Sequence, residues 1–96
     1  MKSLSSLSPT QSIIIRFLCN LWRRNHAQVK IARFNATKAH DGSLATNRLL
    51  EMLDAELAAA ESRRAAAFHE LMNFVDEIGL DGAELMELLY TEPTSY

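Results

Sequence analysis

Residues 43–78 read SLATNRLLEMLDAELAAAESRRAAAFHELMNFVDEI and contain neither glycine nor proline, the two residues that most often interrupt a helix. Apolar or small side chains, with one arginine among them, recur here at alternating steps of three and four residues. That is the spacing of one face of an α-helix. Gly79 follows and is suited to end a helix in the left-handed conformation. The stretch predicts one long, acidic, alanine- and leucine-rich helix over residues 44–78. Its repeating face consists of Leu50, Leu53, Leu57, Ala60, Arg64, Ala67, Leu71, Phe74 and Ile78.

A second helix is predicted before it, over residues 8–38. Ser8 can cap its start, Pro9 suits its first position, and Gln11 stands where a capping box needs Glu or Gln. We expect an irregularity near Asn25, because the apolar pattern weakens after that point. Residues 29–34 also alternate like a short strand, but a lone strand would have no partner, so we keep them helical. The predicted apolar face of this helix comprises Ile14, Phe17, Leu18, Leu21, Trp22 and Val29.

The remaining segments are short. Residues 39–43 form the predicted turn, with Asp41 or Ser43 as the cap of the long helix. Residues 81–90 predict a short third helix capped by Asp81, and residues 1–7 and 91–96 are expected to be tails. The whole chain, residues 1–96, is thus predicted to be a single small all-α domain. Its two long helices form an antiparallel hairpin, and two hairpins could pair as a dimer into a four-helix arrangement.

A self-paired parallel coiled coil is a less favourable use of the long helix. In that arrangement Glu56 would face Glu61 of the second copy, and Arg64 would occupy a core position. The charge distribution favours the hairpin instead. Residues 1–40 hold seven of the ten basic residues and no acid, a net charge of +7. Residues 41–96 hold all twelve acids against three arginines, a net charge of −9, so the two halves should attract each other.

Catalytic and metal chemistry find no support in the sequence. Cys19, His26, His40 and His69 do not have the clustered spacing of a metal site, and no phosphate-binding loop or nucleophile motif is present. A single cysteine rules out an intramolecular disulfide. We therefore predict a protein that is not an enzyme, has no cofactor and takes no small-molecule substrate.

The basic first helix is the first candidate binding region. Its cations could bind phosphate groups on nucleic acid or on an anionic surface, or they could simply be a solvated face. The apolar face next to Arg23 and Arg24 could also lie on a membrane surface, although a core face looks the same in sequence. The candidate residues are Arg16, Arg23, Arg24, Lys30, Arg33 and Lys38.

The long helix and the acidic third helix form the second candidate region, and they carry the leading hypothesis. A small non-catalytic helical protein of this kind could act in protein–protein interaction or regulation, and residues 76–92 could be a helix that docks in a partner's groove. Self-association is expected as well. Nucleic-acid association and, less favoured, membrane-surface association are the alternatives. The candidate interface residues are Trp22, Leu50, Leu53, Leu57, Leu71, Phe74, Ile78, Leu85, Leu88 and Leu89.

The compartment is expected to be intracellular, with the cytoplasm favoured. The first 30 residues bear serine and arginine and lack acids, as organellar transit peptides do, so targeting to an organelle stays open.

Overall fold

In a computed structural model, which describes residues 2–42 and 45–90, the chain is an all-α helical hairpin with a short third helix. A 3₁₀ turn at Leu4–Ser6 precedes α1 (Pro9–Asp41), α2 (Asn47–Ile78) and α3 (Gly82–Tyr90). The two long helices pack against each other along their length, so the predicted fold is confirmed. The molecule is elongated, 55 × 25 × 21 Å.

Polar pairs between the helices show that α1 and α2 run antiparallel. Nε2 of His40 lies 3.0 Å from Oδ1 of Asp54, and a guanidinium nitrogen of Arg33 lies 3.8 Å from Oε1 of Glu61. The partner on α2 moves towards the C terminus as the residue on α1 moves towards the N terminus. These pairs are exposed, so they contribute little stability and mainly record the register of the hairpin.

The start of α1 follows the sequence prediction. Ser8 Oγ accepts a hydrogen bond from Gln11 N at 3.1 Å, and Gln11 Oε1 accepts one from Ser8 N at 3.2 Å, which completes the capping box. The helix is unbroken at Asn25, where an irregularity was expected. The side-chain amide of Asn25 donates to the Leu21 carbonyl at 2.9 Å while the helix continues to Asp41, beyond the predicted end at residue 38.

The start of α2 differs from the prediction, whereas its end agrees with it. Thr46 is the cap, because its Oγ1 accepts from Leu49 N at 3.2 Å, so the cap is not Asp41. The predicted helix start at residue 44 and the proposed cap at residue 43 lie outside the described residues. Gly79 ends α2 with φ 68°, the left-handed conformation that favours glycine.

The core is divided into two unequal parts. The main core fills the end of the hairpin that α3 covers, whereas the thin core, nearer the turn, consists of Val29, Ala32 and Ala60 with Leu57 against them. Because alanines dominate the thin core, the helices approach closely there but bury little area. The buried members of the main core are Ile15, Cys19, Leu71, Val75, Ile78, Leu80, Leu85, Leu88 and Leu89.

The expectation of a tail at residues 1–7 was wrong for residues 2–7, the part that the structure describes. Lys2 N donates to the Gly79 carbonyl at 2.8 Å, and the Lys2 carbonyl accepts from Asp81 N at 2.9 Å. Leu4 and Leu7 then pack against the main core. The N-terminal segment is thus hydrogen-bonded to the junction between α2 and α3. Because these hydrogen bonds use main-chain groups, no side-chain pattern in the sequence predicts them.

The predicted apolar face of α1 was also partly wrong. Val29 is buried as expected, and Leu18, Leu21 and Trp22 are half-buried, but Ile14 and Phe17 are exposed. The face that meets α2 is rotated, so that Ile15 and Cys19 enter the main core, while Val29 and Ala32 pack against Ala60 in the thin core. Its buried members are Ile15, Cys19, Val29, Ala32 and Ala36.

Candidate interaction surfaces

The rotation of α1 leaves a regular set of residues on the side of the helix directed away from α2. We call it the outer face of α1. Its members follow one another at alternating steps of four and three residues over 25 positions, roughly 38 Å of helix at 1.5 Å per residue. This is the spacing of a coiled-coil seam. The outer face of α1 consists of Ile13, Phe17, Asn20, Arg24, Ala27, Ile31, Phe34 and Lys38.

Four large apolar side chains of this face are open to solvent. Ile13 is 70% exposed, Phe17 63%, and both Ile31 and Phe34 are 61% exposed. At roughly 100–150 Å² for each side chain, they present about 500 Å² of apolar surface. This area is divided into two pairs by the segment around Arg24, and each pair is smaller than the largest apolar patch of an ordinary monomer, so it is the regular spacing that marks this face. The sequence prediction had assigned Phe17 to the core and had not identified this face.

The charged side chains that α1 contributes to this region are all positive. Arg24 and Lys38 are exposed members of the face, and Arg16 and Lys30, also exposed, stand along one of its edges. No acid occurs in residues 1–40. The side chains of Arg24 and Lys30 make no hydrogen bond or ion pair with the part of the chain that the structure describes. Lys38 Nζ lies 5.7 Å from the centre of the Phe34 ring, a cation–π contact within the face.

Two of the predicted basic residues, Arg23 and Arg33, instead contact other parts of the chain. The guanidinium of Arg23 donates to the carbonyls of Leu88, Leu89 (at 3.1 Å) and to the side chain of Asn20. It therefore satisfies carbonyls at the C-terminal end of α3, where a cation also interacts favourably with the helix dipole. Arg33 pairs with Glu61 of α2. The cations that stay together on and beside the outer face of α1 are Arg16, Arg24, Lys30 and Lys38.

The predicted protein-interface residues mostly form the chain's own core. The buried ones are Leu71, Ile78, Leu85, Leu88 and Leu89, and the half-buried ones are Trp22, Leu50, Leu53, Leu57 and Phe74.

The proposed groove-binding helix at residues 76–92 loses most of its apolar face for the same reason. Met86 and Tyr90 are the large apolar side chains that α3 leaves exposed, and residues 91–92 lie outside the described range. Docking through the leucines of α3 would require the main core to open.

Arg64, which the sequence placed in the seam of α2, has a partner on α1. A guanidinium nitrogen of Arg64 lies 3.2 Å from His26 Nδ1, and the His26 ring stacks on Trp22 with a centroid distance of 4.8 Å and an interplanar angle of 9°. Partial burial lowers the pKa of His26, and the nearby charges of Lys30, Arg64 and Arg33 lower it further. Because a guanidinium can only donate, His26 Nδ1 accepts this hydrogen bond from Arg64.

Cys19 is buried in the main core. Burial raises its pKa to about 11, despite the opposing charges of Arg23 and Arg16, so the thiol stays protonated near neutral pH.

Within residues 2–42 and 45–90, no three histidine, cysteine or acidic side chains come close enough to hold a metal ion. No helix in the same ranges has the length and apolarity needed to cross a membrane. A shallow groove of about 250 Å³ lies beside the outer face of α1 and is lined by Gln28, Ile31, Ala32, Asn35 and Glu56.

Comparison with known proteins finds no relative of this chain. No protein family, no curated protein and no solved structure matches the chain. The candidate function therefore rests on the geometry and charge of the surfaces.

Proposed function

We propose that the chain is a small, non-catalytic helical protein that acts by binding another protein through the outer face of α1. The observation that carries the proposal is the exposure of Ile13, Phe17, Ile31 and Phe34 in coiled-coil spacing on a single rigid helix. The fold has already used the leucines of α3 and the buried apolar residues of α2 for its own core. The proposed interface therefore lies on α1 and not on α2 and α3, where the sequence suggested it.

The positive charge of the same region favours a second candidate function, nucleic-acid association. Arg16, Arg24, Lys30 and Lys38 offer four cations to phosphates with no acid on the same helix before Asp41. We rank it second because phosphate binding makes no use of the phenylalanine and isoleucine side chains that alternate with the cations. If it operates, affinity for a DNA or RNA duplex should fall steeply as salt rises from about 50 to 200 mM.

The test of the proposed function is affinity capture with a matched pair of double variants. Phe17→Ser with Phe34→Ser removes two aromatic side chains from the outer face of α1. Leu49→Ser with Met52→Ser removes two exposed apolar side chains from α2 and serves as the control. All three chains should show the same helix content by circular dichroism, because none of these residues belongs to the core.

The expected result is a protein that is retained by the wild-type chain and by the α2 control but not by the Phe17/Phe34 variant. The retained protein is then purified and its affinity for each chain measured, so that direct binding is established. Equal affinity for all three chains would refute the proposal.

Self-association through α1 alone would set Arg24 against Arg24 or the cationic edges against each other, so the outer face is poorly suited to it. The predicted four-helix dimer would have to use other faces, and it stays a prediction. Sedimentation equilibrium tests it, since a monomer of 10.8 kDa at tens of micromolar would contradict it.

A further inference from the structure

We infer that the partner of the outer face of α1 is an acidic amphipathic helix, which packs along α1 as a coiled coil with carboxylates facing Arg24 and Lys38. This inference rests on the proposed function and names the chemistry of its partner. The first support is the spacing. Eight successive positions of the face alternate by four and three residues without a break, and α1 continues through them as one helix.

The residues of the outer face of α1 are not all apolar, and their order along the helix indicates the chemistry of the partner. Ile13 and Phe17 form one apolar pair, and Ile31 and Phe34 form another. Between them lie Asn20, Arg24 and Ala27, of which Arg24 carries the charge, and Lys38 closes the series. A partner helix that buries both apolar pairs must bring a side chain against Arg24. Because a cation that loses water without a partner is strongly unfavourable, that side chain should be a carboxylate.

A second copy of α1 does not satisfy this requirement. In a parallel pair Arg24 would meet Arg24 and Lys38 would meet Lys38. In an antiparallel pair the edges that carry Arg16 and Lys30 would face each other. Since residues 1–40 contain no acid, no register of α1 against α1 supplies a carboxylate from the same segment.

A lipid surface is also a poorer occupant than a helix. A helix that lies flat on a bilayer inserts the centre of its apolar face most deeply. On α1 the centre of the face is Arg24, with the two apolar pairs on either side of it along the helix. A partner helix can place one carboxylate at that layer, whereas a bilayer offers its phosphates only at the edge of the inserted surface.

The experiment uses two designed peptides as probes. Both have a leucine seam in register with the outer face of α1. The acidic peptide has glutamate opposite Arg24 and Lys38 and along its edges, and the basic peptide has lysine at each of those positions. The full chain is titrated into each labelled peptide, and the affinity is followed by fluorescence anisotropy. Vesicles of phosphatidylcholine with phosphatidylserine are tested in parallel by co-sedimentation.

We expect the wild-type chain to bind the acidic peptide at least about tenfold more tightly than the basic peptide, because each reversed charge exchanges an attractive contact for a repulsive one. Arg24→Glu with Lys38→Glu should invert the preference. Arg48→Glu, an exposed charge reversal on α2, should leave it unchanged. The double variant should keep its helix content, since both side chains are exposed.

Three results would overturn the inference: equal affinity for both peptides, a preference that Arg24→Glu with Lys38→Glu does not change, or binding to the vesicles with no binding to either peptide. These failures differ from a failure of the proposed function. If a natural partner is lost from the Phe17/Phe34 variant but the acidic peptide does not bind, the face is an interface for a partner of another shape. If the peptide binds but no natural partner depends on the face, the proposed function is wrong.

Discussion

The neighbouring arginines Arg23 and Arg24 should differ sharply in their contribution to stability. Arg23→Met keeps an unbranched apolar side chain and removes only the guanidinium, which donates to the Leu88 and Leu89 carbonyls at the end of α3. Hydrogen bonds from a charged donor contribute roughly 1.5–3 kcal/mol each when buried, and a cation at a helix C terminus about 0.3–1 kcal/mol. Because this site is half-buried, we expect a total loss of about 1–2 kcal/mol.

The assay is urea or thermal unfolding of both variants, followed by circular dichroism. For a domain of this size the loss corresponds to a decrease in Tm of roughly 5–15 °C for Arg23→Met. Arg24→Met changes an exposed side chain and should stay within about 0.5 kcal/mol of the wild-type chain. Hydrogen exchange should also show faster exchange of the α3 amides in Arg23→Met, because α3 then loses the hydrogen bonds that Arg23 donates to its last carbonyls. Equal effects of the two substitutions would refute the assigned role of Arg23.

Three further predictions concern single groups. Because Cys19 has a pKa of about 11 in place of 9.0, its thiolate population in the native chain should be about one hundredth of that in the unfolded chain at neutral pH, and alkylation should accelerate when urea is added. His26 has a lowered pKa, so the unfolded chain binds its proton more readily. Its contribution to stability is therefore full above pH 6.5 and is lost as pH falls from there towards the lowered pKa, and His26→Gln should flatten the pH dependence of the urea midpoint over that range. Gly79→Ala should cost about 1 kcal/mol in calorimetry because of its φ of 68°, whereas Gly82→Ala, with open space and an ordinary φ, should be neutral or stabilising; equal effects would contradict the left-handed cap.

The elements of the fold were accessible from the sequence because their signals are local. The capping box at Ser8 and Gln11 and the glycine at position 79 mark a helix start and a helix end within a few residues. The hairpin followed from the charge difference between the two halves and from the short turn. By contrast, the attachment of Lys2 to Gly79 and Asp81 uses main-chain groups, which every residue possesses, so no side-chain pattern reports it.

The orientation of α1 could not be derived in the same way. Ile13, Ile14 and Ile15 are consecutive, and Phe17 is followed by Leu18, so apolar side chains surround this part of the helix. Periodicity alone then gives no unique face, and packing in the main core decides that Ile15 and Cys19 are the residues turned inwards. The unbroken four–three spacing from residue 13 to 38 was nevertheless present in the sequence. Testing α1 for a second seam would have found it.

The candidate site was predicted in part for the same reason. The structure places Arg16, Arg24, Lys30 and Lys38 on one exposed side of α1, but nothing local distinguishes Arg23, whose partners are carbonyls more than 60 residues away. The candidate interface leucines were identified by their apolarity, which a core residue and an interface residue share. Only the packing of α3 on the hairpin separates the two roles.

The most direct test of the outer face of α1 as an interface is site-specific photocross-linking in the cells that naturally produce the chain. A photoreactive phenylalanine derivative replaces Phe17 or Phe34 in one pair of chains and Met52, which is equally exposed on α2, in the control. We predict that positions 17 and 34 give one and the same discrete protein adduct, and that position 52 does not give it. An adduct from position 52 alone, or none from positions 17 and 34, would contradict the account.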